Sequence, residues 1–140
     1  MAASAQDRRQ ITEVIEQYRR GWEAMDGNQL KVIWDRDYDQ IIYIPLEVAQ
    51  PVRGWAGVEE YYKNVAACVE RVKAMKVSDL SMDVFGDVAY TFCHINAEAG
   101  FKGQRQPLLL DARDTFILRR TGGAWKVIHY HESRPHLPRG

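Results

Sequence analysis

The sequence has 140 residues, of which 46% are hydrophobic and 27% charged, a length and balance that suit one globular domain with a buried core. Lysine and arginine together number 19, as do aspartate and glutamate, so the formal net charge is zero. This composition gives no electrostatic reason to expect nucleic acid or an acidic membrane as a partner. No apolar stretch approaches the roughly 18 residues of a membrane span.

Two helices are predicted before residue 40. Ser4 and Asp7 form a capping-box pattern ahead of the first helix. Its apolar residues recur at helical spacing until Asp26, and Gly27 is the expected C-terminal cap. Asn28 is expected to cap the short second helix. The apolar positions of the first helix are Ile11, Val14, Ile15, Tyr18, Trp22 and Met25.

The second half of the chain changes from helical to strand patterning. A strand over residues 40–44 leads to a third helix, whose apolar stripe runs from Val58 to Val72. Glycine-containing turns at residues 86–87 and 122–123 supply the positive φ of tight hairpins. The four closing strands are predicted over residues 77–85, 88–98, 108–120 and 125–133. This order predicts an α+β fold, with three helices on one face of a mainly antiparallel sheet.

One domain over residues 1–140 is the simplest organisation, because the sequence has no repeat, low-complexity tract or linker. Residues 1–5 and 135–140 are expected to be flexible tails. Cys68 and Cys93 lack CxxC spacing, and both are expected to be reduced, buried side chains. The polar N-terminus has no signal-peptide core, so a cytoplasmic location is expected.

The closing hairpin, residues 115–131 (TFILRRTGGAWKVIHYH), resembles the SnoaL-like branch of the nuclear transport factor 2 superfamily. It also resembles the association domain of calcium/calmodulin-dependent kinase II. The resemblance covers nearly the whole chain, from the first helix to about Pro135. It implies a strongly curved, cone-shaped sheet with a ligand pocket at its mouth. It does not fix the reaction, because the superfamily includes isomerases, dehydratases, cyclases, epoxide hydrolases and proteins without catalysis.

Resemblance to ketosteroid isomerase, a member of this superfamily, implies an oxyanion-binding pair at Tyr18 and Asp114. A carboxyl kept neutral by an apolar site can donate a hydrogen bond to a developing enolate. As alternatives, Tyr18 belongs to the core stripe of its helix and Asp114 could pair with an arginine. The isomerase's general base corresponds to Ile44 before Pro45, which excludes that route because isoleucine cannot move protons.

The scytalone-type dehydratases and a related dehydrochlorinase suggest a different catalytic pair, an aspartate with a histidine. Asp26 falls near their aspartate, but Met75 falls near their histidine, so this pair is incomplete as well. A turn residue at a helix end is the preferred interpretation of Asp26.

His94 and Glu132 are the candidates for a general base, in that order. An imidazole suits proton transfer near neutral pH, and His94 is expected to face the cone beside Asp114. A glutamate in a cavity is expected to have a raised pKa and could shuttle protons. The alternatives are a hydrogen-bonded core histidine, and an ion pair of Glu132 with Arg134 or Arg113 at the rim.

Resemblance and strand parity also suggest residues that bind the substrate and a face that meets a second subunit. The expected binding residues are Phe92, Phe116, Tyr130, Trp55, Tyr62 and Arg53. Core packing is the alternative for the aromatic residues, and a solvated loop position is the alternative for Arg53. His129 and His131 share one strand face, for which an interface or structural role is expected rather than a metal site. Val127 is expected on the same outer face.

The sequence therefore predicts an enzyme without cofactor or metal that performs acid–base isomerisation, dehydration or ring closure on a small carbonyl or polyketide-like compound. The alternative is a non-catalytic module that binds a ligand or assembles into a homodimer or larger homo-oligomer. A water-activating hydrolase ranks third, because only Asp114 and Glu132 are available as cavity acids.

Overall fold

The computed structural model describes residues 3–135. This part of the chain contains three helices and one six-stranded sheet, which confirms the predicted α+β class. The elements are α1 (Ala5–Ala24), α2 (Gly27–Lys31), β1 (Ile42–Ile44), β2 (Val52–Arg53), α3 (Gly54–Cys68), β3 (Val69–Phe85), β4 (Val88–Phe101), β5 (Leu108–Thr121) and β6 (Ala124–Ser133).

The strands lie in the order β2-β1-β6-β5-β4-β3. All neighbours are antiparallel except β1 and β6, which run parallel. The pairing of β3 with β4 is interrupted three times, and Ala74 and Asp79 in β3 have φ of 55°. Bulges bend the strand that carries them and increase its twist, and the sheet curves around the helices.

The ends of α1 differ from the sequence prediction in two ways. The Ser4 hydroxyl accepts from the Asp7 backbone N–H at 3.0 Å, as expected, and Ala5 already belongs to the helix rather than to a tail. Of the other predicted tail residues, Ala3 packs against the core, Ser4 is the N-cap and Pro135 is exposed, whereas residues 1–2 and 136–140 lie outside the described part. Met25, with φ of 50°, is the C-terminal cap instead of Gly27.

The cap of α2 is Asp26 rather than Asn28. Its carboxylate accepts from the backbone N–H groups of Asn28 at 3.0 Å and Gln29 at 3.4 Å, because a short acidic side chain satisfies free donors at a helix start. The helices pack closely here, since a Cβ on Gly21 would lie 2.9 Å from the Leu30 side chain. Asp26 therefore has the structural role that was preferred for it.

The third helix is shorter than predicted, the strand that follows it is longer, and one two-residue strand was not predicted. It ends at Cys68, and Val69 and Val72 belong to β3, which begins eight residues before the predicted strand. Valine favours strands because its branched side chain packs well on a pleated surface. The two-residue strand β2 was not predicted at all. None of the helices in residues 3–135 combines the length and apolar character needed to cross a bilayer.

The narrow end of the fold is filled by large aromatic side chains. Trp34 and Tyr43 lie 5.0 Å apart between ring centroids, and the Trp34 indole donates to the Tyr62 hydroxyl at 3.0 Å. Phe116 and Tyr130 of the inner sheet face complete the cluster at 4.9 Å. The rings of Trp34, Tyr43, Tyr62, Phe116 and Tyr130 are all buried.

A buried carboxylate anchors the chain after α2 to the final hairpin. Asp35 is 3% exposed, and its Oδ2 atom accepts from Arg119 at 2.7 and 2.9 Å and from Thr121 at 3.2 Å. Its Oδ1 atom accepts from the Asp37 backbone N–H at 3.1 Å. Each acceptor oxygen is satisfied, as a buried charge requires.

We expect Asp35→Ala to lower the free energy of unfolding by about 2 kcal/mol, because it leaves the half-buried Arg119 guanidinium and two other donors without an acceptor. Urea titration would measure the change. Glu13→Ala, which removes an exposed ion pair with Arg20, is the control and should cost less than about 0.5 kcal/mol. Equal losses in the two variants would contradict the role given to Asp35.

Candidate functional site

A cavity of about 650 Å³ opens between the helices and the inner face of the sheet, next to the aromatic cluster, whose Tyr130 forms part of the cavity wall. Its volume lies within the range of small-molecule sites. Residues of α1, α3, β3, β4, β5 and β6 contribute to the wall. The apolar lining consists of Trp22, Val65, Val69, Val72, Met75, Ile95, Ala97, Ala99, Phe101, Leu108 and Leu110.

Glu132, on β6, is the charged group that the structure holds most firmly in this wall. Its Oε1 atom accepts from the Leu46 backbone N–H at 3.0 Å, and its Oε2 atom accepts from the Tyr130 hydroxyl at 2.8 Å. Each carboxylate oxygen keeps a further lone pair. The two donors fix the orientation of the carboxylate and leave it able to accept from a ligand.

Tyr18 lines the same cavity from α1. Its hydroxyl is 3.0 Å from that of Tyr43, and either oxygen can be the donor. Burial raises the pKa of Tyr18 well above the ordinary value, with smaller contributions from Tyr62 and the charge of Glu132. The Tyr18 hydroxyl therefore keeps its proton at neutral pH and is a hydrogen-bond donor.

Asp114 lies directly across the β5–β6 ladder from Glu132 and is fully buried. Neither of its carboxyl oxygens has a hydrogen-bond partner within residues 3–135. Burial, and then the negative charge of Glu132, raise the pKa of Asp114 well above the aspartate range. Asp114 is thus a protonated, neutral acid at pH 7. It lies behind the cavity wall rather than in it.

His94 does not face the cavity, so the expectation that it lies beside Asp114 is wrong. The residue opposite Asp114 on β4 is Cys93, and the next side chain along a strand points to the other face. His94 is on the outer face, where its Nε2 atom is 3.6 Å from the Asp79 carboxylate. Phe92 shares this outer face, with its ring 5.4 Å from that of His94.

The sequence of β4 contains a pattern that indicates the correct face for His94. The polar residues Asn96 and Glu98 continue the series of His94, whereas Ile95, Ala97 and Ala99 continue the series of Cys93. Polar side chains usually mark the solvent side of a half-buried strand. The odd-numbered series therefore had to be the inner one.

A bulge in β6 makes a second predicted face assignment wrong, that of Val127. The pairs Ile117–His129 and Leu118–Val127 leave Ile128 as an extra residue. Val127 is therefore fully buried on the inner face, and not on the outer face as expected. Beyond the bulge Tyr130 and Glu132 are inward, as the sequence analysis placed them.

Five of the six expected binding residues lie outside the cavity, including Phe92 on the outer face of the sheet. Phe116 and Tyr62 are buried in the aromatic cluster, which was the alternative given for them. Trp55 lies under the Arg36 guanidinium at 4.6 Å, in the first turn of α3. Arg53 is exposed at the N-cap of the same helix. Tyr130 alone among the six lines the cavity.

The loop after β1 and helix α3 contribute a hydrogen-bonded pair to the cavity wall, and this contact was not predicted from the sequence. The Tyr61 hydroxyl donates to the Glu47 carboxylate at the cavity wall. Burial, and then the charge of Glu47, raise the pKa of Tyr61. Nothing in the local sequence indicates this contact, since the two residues come from separate elements.

The cysteines and the histidine pair have no catalytic arrangement. Cys93 is buried as expected, and burial with the neighbouring carboxyls raises its pKa to about 12. Cys68 is exposed, contrary to expectation, because α3 ends there. The rings of His129 and His131 are 6.4 Å apart, and in the described residues no third potential metal ligand joins them.

An open groove of about 580 Å³ adjoins the cavity at the end of α3. Cys68, Phe101 and Leu108 line both spaces. The loop between β4 and β5 forms the far side of the groove and carries Lys102.

A curved mixed sheet, helices on its concave face and an apolar cavity at the wide end define the nuclear transport factor 2-like class. The model of the SnoaL-like domain matches residues 11–137, and the chain belongs to this family. None of the curated protein sequences compared with the chain matches it.

Solved structures show the same fold at low sequence identity. A nuclear transport factor 2-like superfamily protein from Salmonella enterica is 19% identical, with a TM-score of 0.84 over 96% of this chain and 95% of its own. A proposed dehydratase of this family from Streptomyces avermitilis is 21% identical (TM-score 0.79, 96% and 100%). A proposed calcium/calmodulin-dependent kinase II association domain from Thiobacillus denitrificans is 18% identical (TM-score 0.70, 88% and 93%).

The raised pKa of Asp114 predicts a pH-dependent stability difference between the wild type and Asp114→Asn. Above about pH 4 the unfolded chain releases the Asp114 proton whereas the folded chain keeps it, so stability falls as pH rises towards the raised pKa. Asn has no proton to lose. The free energy of unfolding of the variant should therefore rise relative to that of the wild type by at most about 1.4 kcal/mol per pH unit between about pH 5 and pH 8.

Urea unfolding at several pH values measures this difference. Asp111→Asn, on the exposed face of the same strand, is the control and should show a difference that does not change with pH. A constant difference for Asp114→Asn would show that Asp114 is ionised in the folded state.

Proposed function

We propose that this protein binds a small, mainly apolar molecule in the cavity and catalyses its isomerisation, dehydration or ring closure by acid–base chemistry, with Glu132 as the group that moves the proton. The observation that carries the proposal is the Glu132 carboxylate, oriented by two donors within an otherwise apolar wall. A base works best when its position relative to the substrate is fixed before reaction.

Tyr18 is proposed to stabilise the negative charge that develops on the substrate oxygen. When the Tyr43 hydroxyl donates to Tyr18, the Tyr18 proton is free to point into the cavity. A hydroxyl that stays protonated in an apolar site stabilises an enolate-like oxygen more strongly than water would. Tyr18 and Glu132 would then act on one ligand from different sides of the cavity.

Asp114 is proposed to support Glu132 rather than to touch the substrate. The two carboxyls face each other across one ladder position, so a single proton on Asp114 avoids two buried negative charges side by side. The likeness to a proposed dehydratase agrees with this class of reaction, although it shows only the fold.

We expect Glu132→Gln to keep ligand binding but to lower turnover roughly 10²- to 10⁴-fold. Glutamine preserves the size of the side chain, and its amide oxygen can still accept from Leu46. A thermal-shift panel of enones, phenols, hydroxy acids and carboxylates would first find ligands that stabilise the wild type. Turnover of those ligands and their relatives would then be followed by chromatography.

Glu98→Gln is the matched control, since Glu98 pairs with Lys73 away from the cavity. It should change neither binding nor turnover. The catalytic proposal fails if Glu132→Gln keeps full activity. The binding proposal fails if no member of a broad panel raises the melting temperature of the wild type.

Self-association through the outer face of the sheet is a second proposal, independent of catalysis. Phe85 is 60% exposed and Tyr90 46% exposed, and both lie on this face near Val88. Contiguous exposed apolar residues commonly mark an interaction surface. The likeness to a proposed association domain is consistent with this role.

The outer face carries charges of both signs on each side. Lys73, Lys76, Asp79 and Asp83 lie on β3, whereas Asp111, Arg113, His129 and His131 lie on β5 and β6. A face of mixed charge can pair with a second copy of itself without net repulsion.

The double substitution Phe85→Glu with Tyr90→Glu should convert a dimer into a monomer, because it replaces the exposed apolar side chains of the proposed interface with charges that would lose their hydration on association. Sedimentation velocity would measure the change. Val32→Glu, an equally exposed apolar position outside the sheet, should leave the dimer intact. A wild type that sediments as a monomer at high concentration contradicts the proposal.

A further inference from the structure

Three charged residues line the cavity, and they differ in their partners. Glu132 accepts from Leu46 and Tyr130, and Glu47 accepts from Tyr61. Arg134 has neither a hydrogen bond nor an ion pair within residues 3–135. The ion pair between Arg134 and Glu132, which was one alternative given for Glu132, is therefore not formed. The cavity thus presents one cation whose donors are not engaged.

We propose that Arg134 binds an anionic group, a carboxylate, at the mouth of the cavity, and that the ligand is an apolar or aromatic carboxylic acid whose ring system fills the interior. The inference rests on the proposed ligand-binding function and adds the chemical class of the ligand. Arginine is suited to the role because its planar donors match the two oxygens of a carboxylate.

The position of Arg134 defines how such a ligand lies. Arg134 follows the last residue of β6 and is exposed, whereas Glu132, two residues earlier, is half-buried. Two strand residues span about 6.6 Å. A carboxylate held by Arg134 therefore remains at the surface, and the part of the ligand next to it reaches Glu132.

The polarity of the wall selects this orientation over the reverse one. The interior beyond Glu132 is apolar, so an ionised carboxylate placed there would lose its hydration and meet the Glu132 charge. At the mouth the carboxylate keeps much of its water. The ligand should therefore enter with its apolar end first.

The opposite chemistry, a cationic ligand, is the main competitor. Glu47 and Glu132 give the lining two negative charges against one positive charge. Both carboxylates already accept hydrogen bonds within the chain, whereas the Arg134 donors do not. The unengaged donors of Arg134 favour a carboxylic acid as the ligand. The experiment includes an amine so that a cationic ligand is tested as well.

Three probes with one ring system separate these possibilities: 2-naphthylacetate, its uncharged primary amide, and 2-(2-naphthyl)ethylamine. Affinities for the full chain would be measured by calorimetry at about pH 7.5, where the acid and the amine are both charged. The variants are Arg134→Ala, Arg134→Lys and, as a matched control, Lys102→Ala. Lys102 is a second cation, on the groove that adjoins the cavity.

We expect the acid to bind the wild type more tightly than the amide, and Arg134→Ala to weaken the acid roughly 5- to 30-fold while changing the amide less than about twofold. Arg134→Lys should weaken binding of the acid less than Arg134→Ala does, because lysine keeps the charge without the paired donors. Lys102→Ala should change neither. Raising the salt concentration should weaken the acid alone.

Several results would overturn the inference. If the amide or the amine binds the wild type at least as tightly as the acid, or if Lys102→Ala rather than Arg134→Ala weakens the acid, Arg134 does not select the ligand. These results leave ligand binding itself intact. If none of the three probes binds, nor any ligand of the wider panel, the proposed binding function fails together with the inference.

Discussion

The bulge in β6 opposite Ile117 and Leu118 determines which side chains of the last strand face the helices. Without the extra residue Ile128, the strand would keep one parity, and Val127 and Glu132 could not both point inward. Val127 is needed in the core, where its backbone also bonds to Ile33 and Asp35. The bulge thus lets one strand contribute to the core at one end and to the cavity wall at the other.

The cavity exists because the two ends of the curved sheet are filled differently. Large rings occupy the narrow end, including Trp34, Tyr43 and Phe116. At the wide end β4 presents Ala97 and Ala99, whose small side chains cannot reach the helices. The bulges of β3 at Ala74 and Asp79 bend the sheet so that this end stays open. Unfilled apolar volume costs stability, which a bound ligand would restore by linkage.

The burial of Asp114 beside Glu132 also costs stability. A buried carboxyl without a partner is unfavourable, and it is tolerated here by keeping its proton. Groups with a strongly shifted pKa beside a cavity are common in functional sites. Arg134 follows the end of β6 and lies at the mouth of the cavity. The Glu132 carboxylate, the neutral Asp114 carboxyl and the Arg134 guanidinium are therefore close to one another at this end of β5 and β6.

Local sequence patterns predicted the three helices, the strands other than β2, their order and the α+β class, because helical and strand periodicities are properties of neighbouring residues. Resemblance to ketosteroid isomerase, together with strand parity, placed Tyr18, Asp114, Tyr130 and Glu132 on the inner side. They did not determine the face of His94, which depends on the register between β4 and β5, or that of Val127, which depends on a bulge. The contacts of Glu132 with Leu46 and of Glu47 with Tyr61 join segments distant in the sequence. Only the tertiary structure decides such contacts, since register and bulges are set by the packing of the whole sheet against the helices.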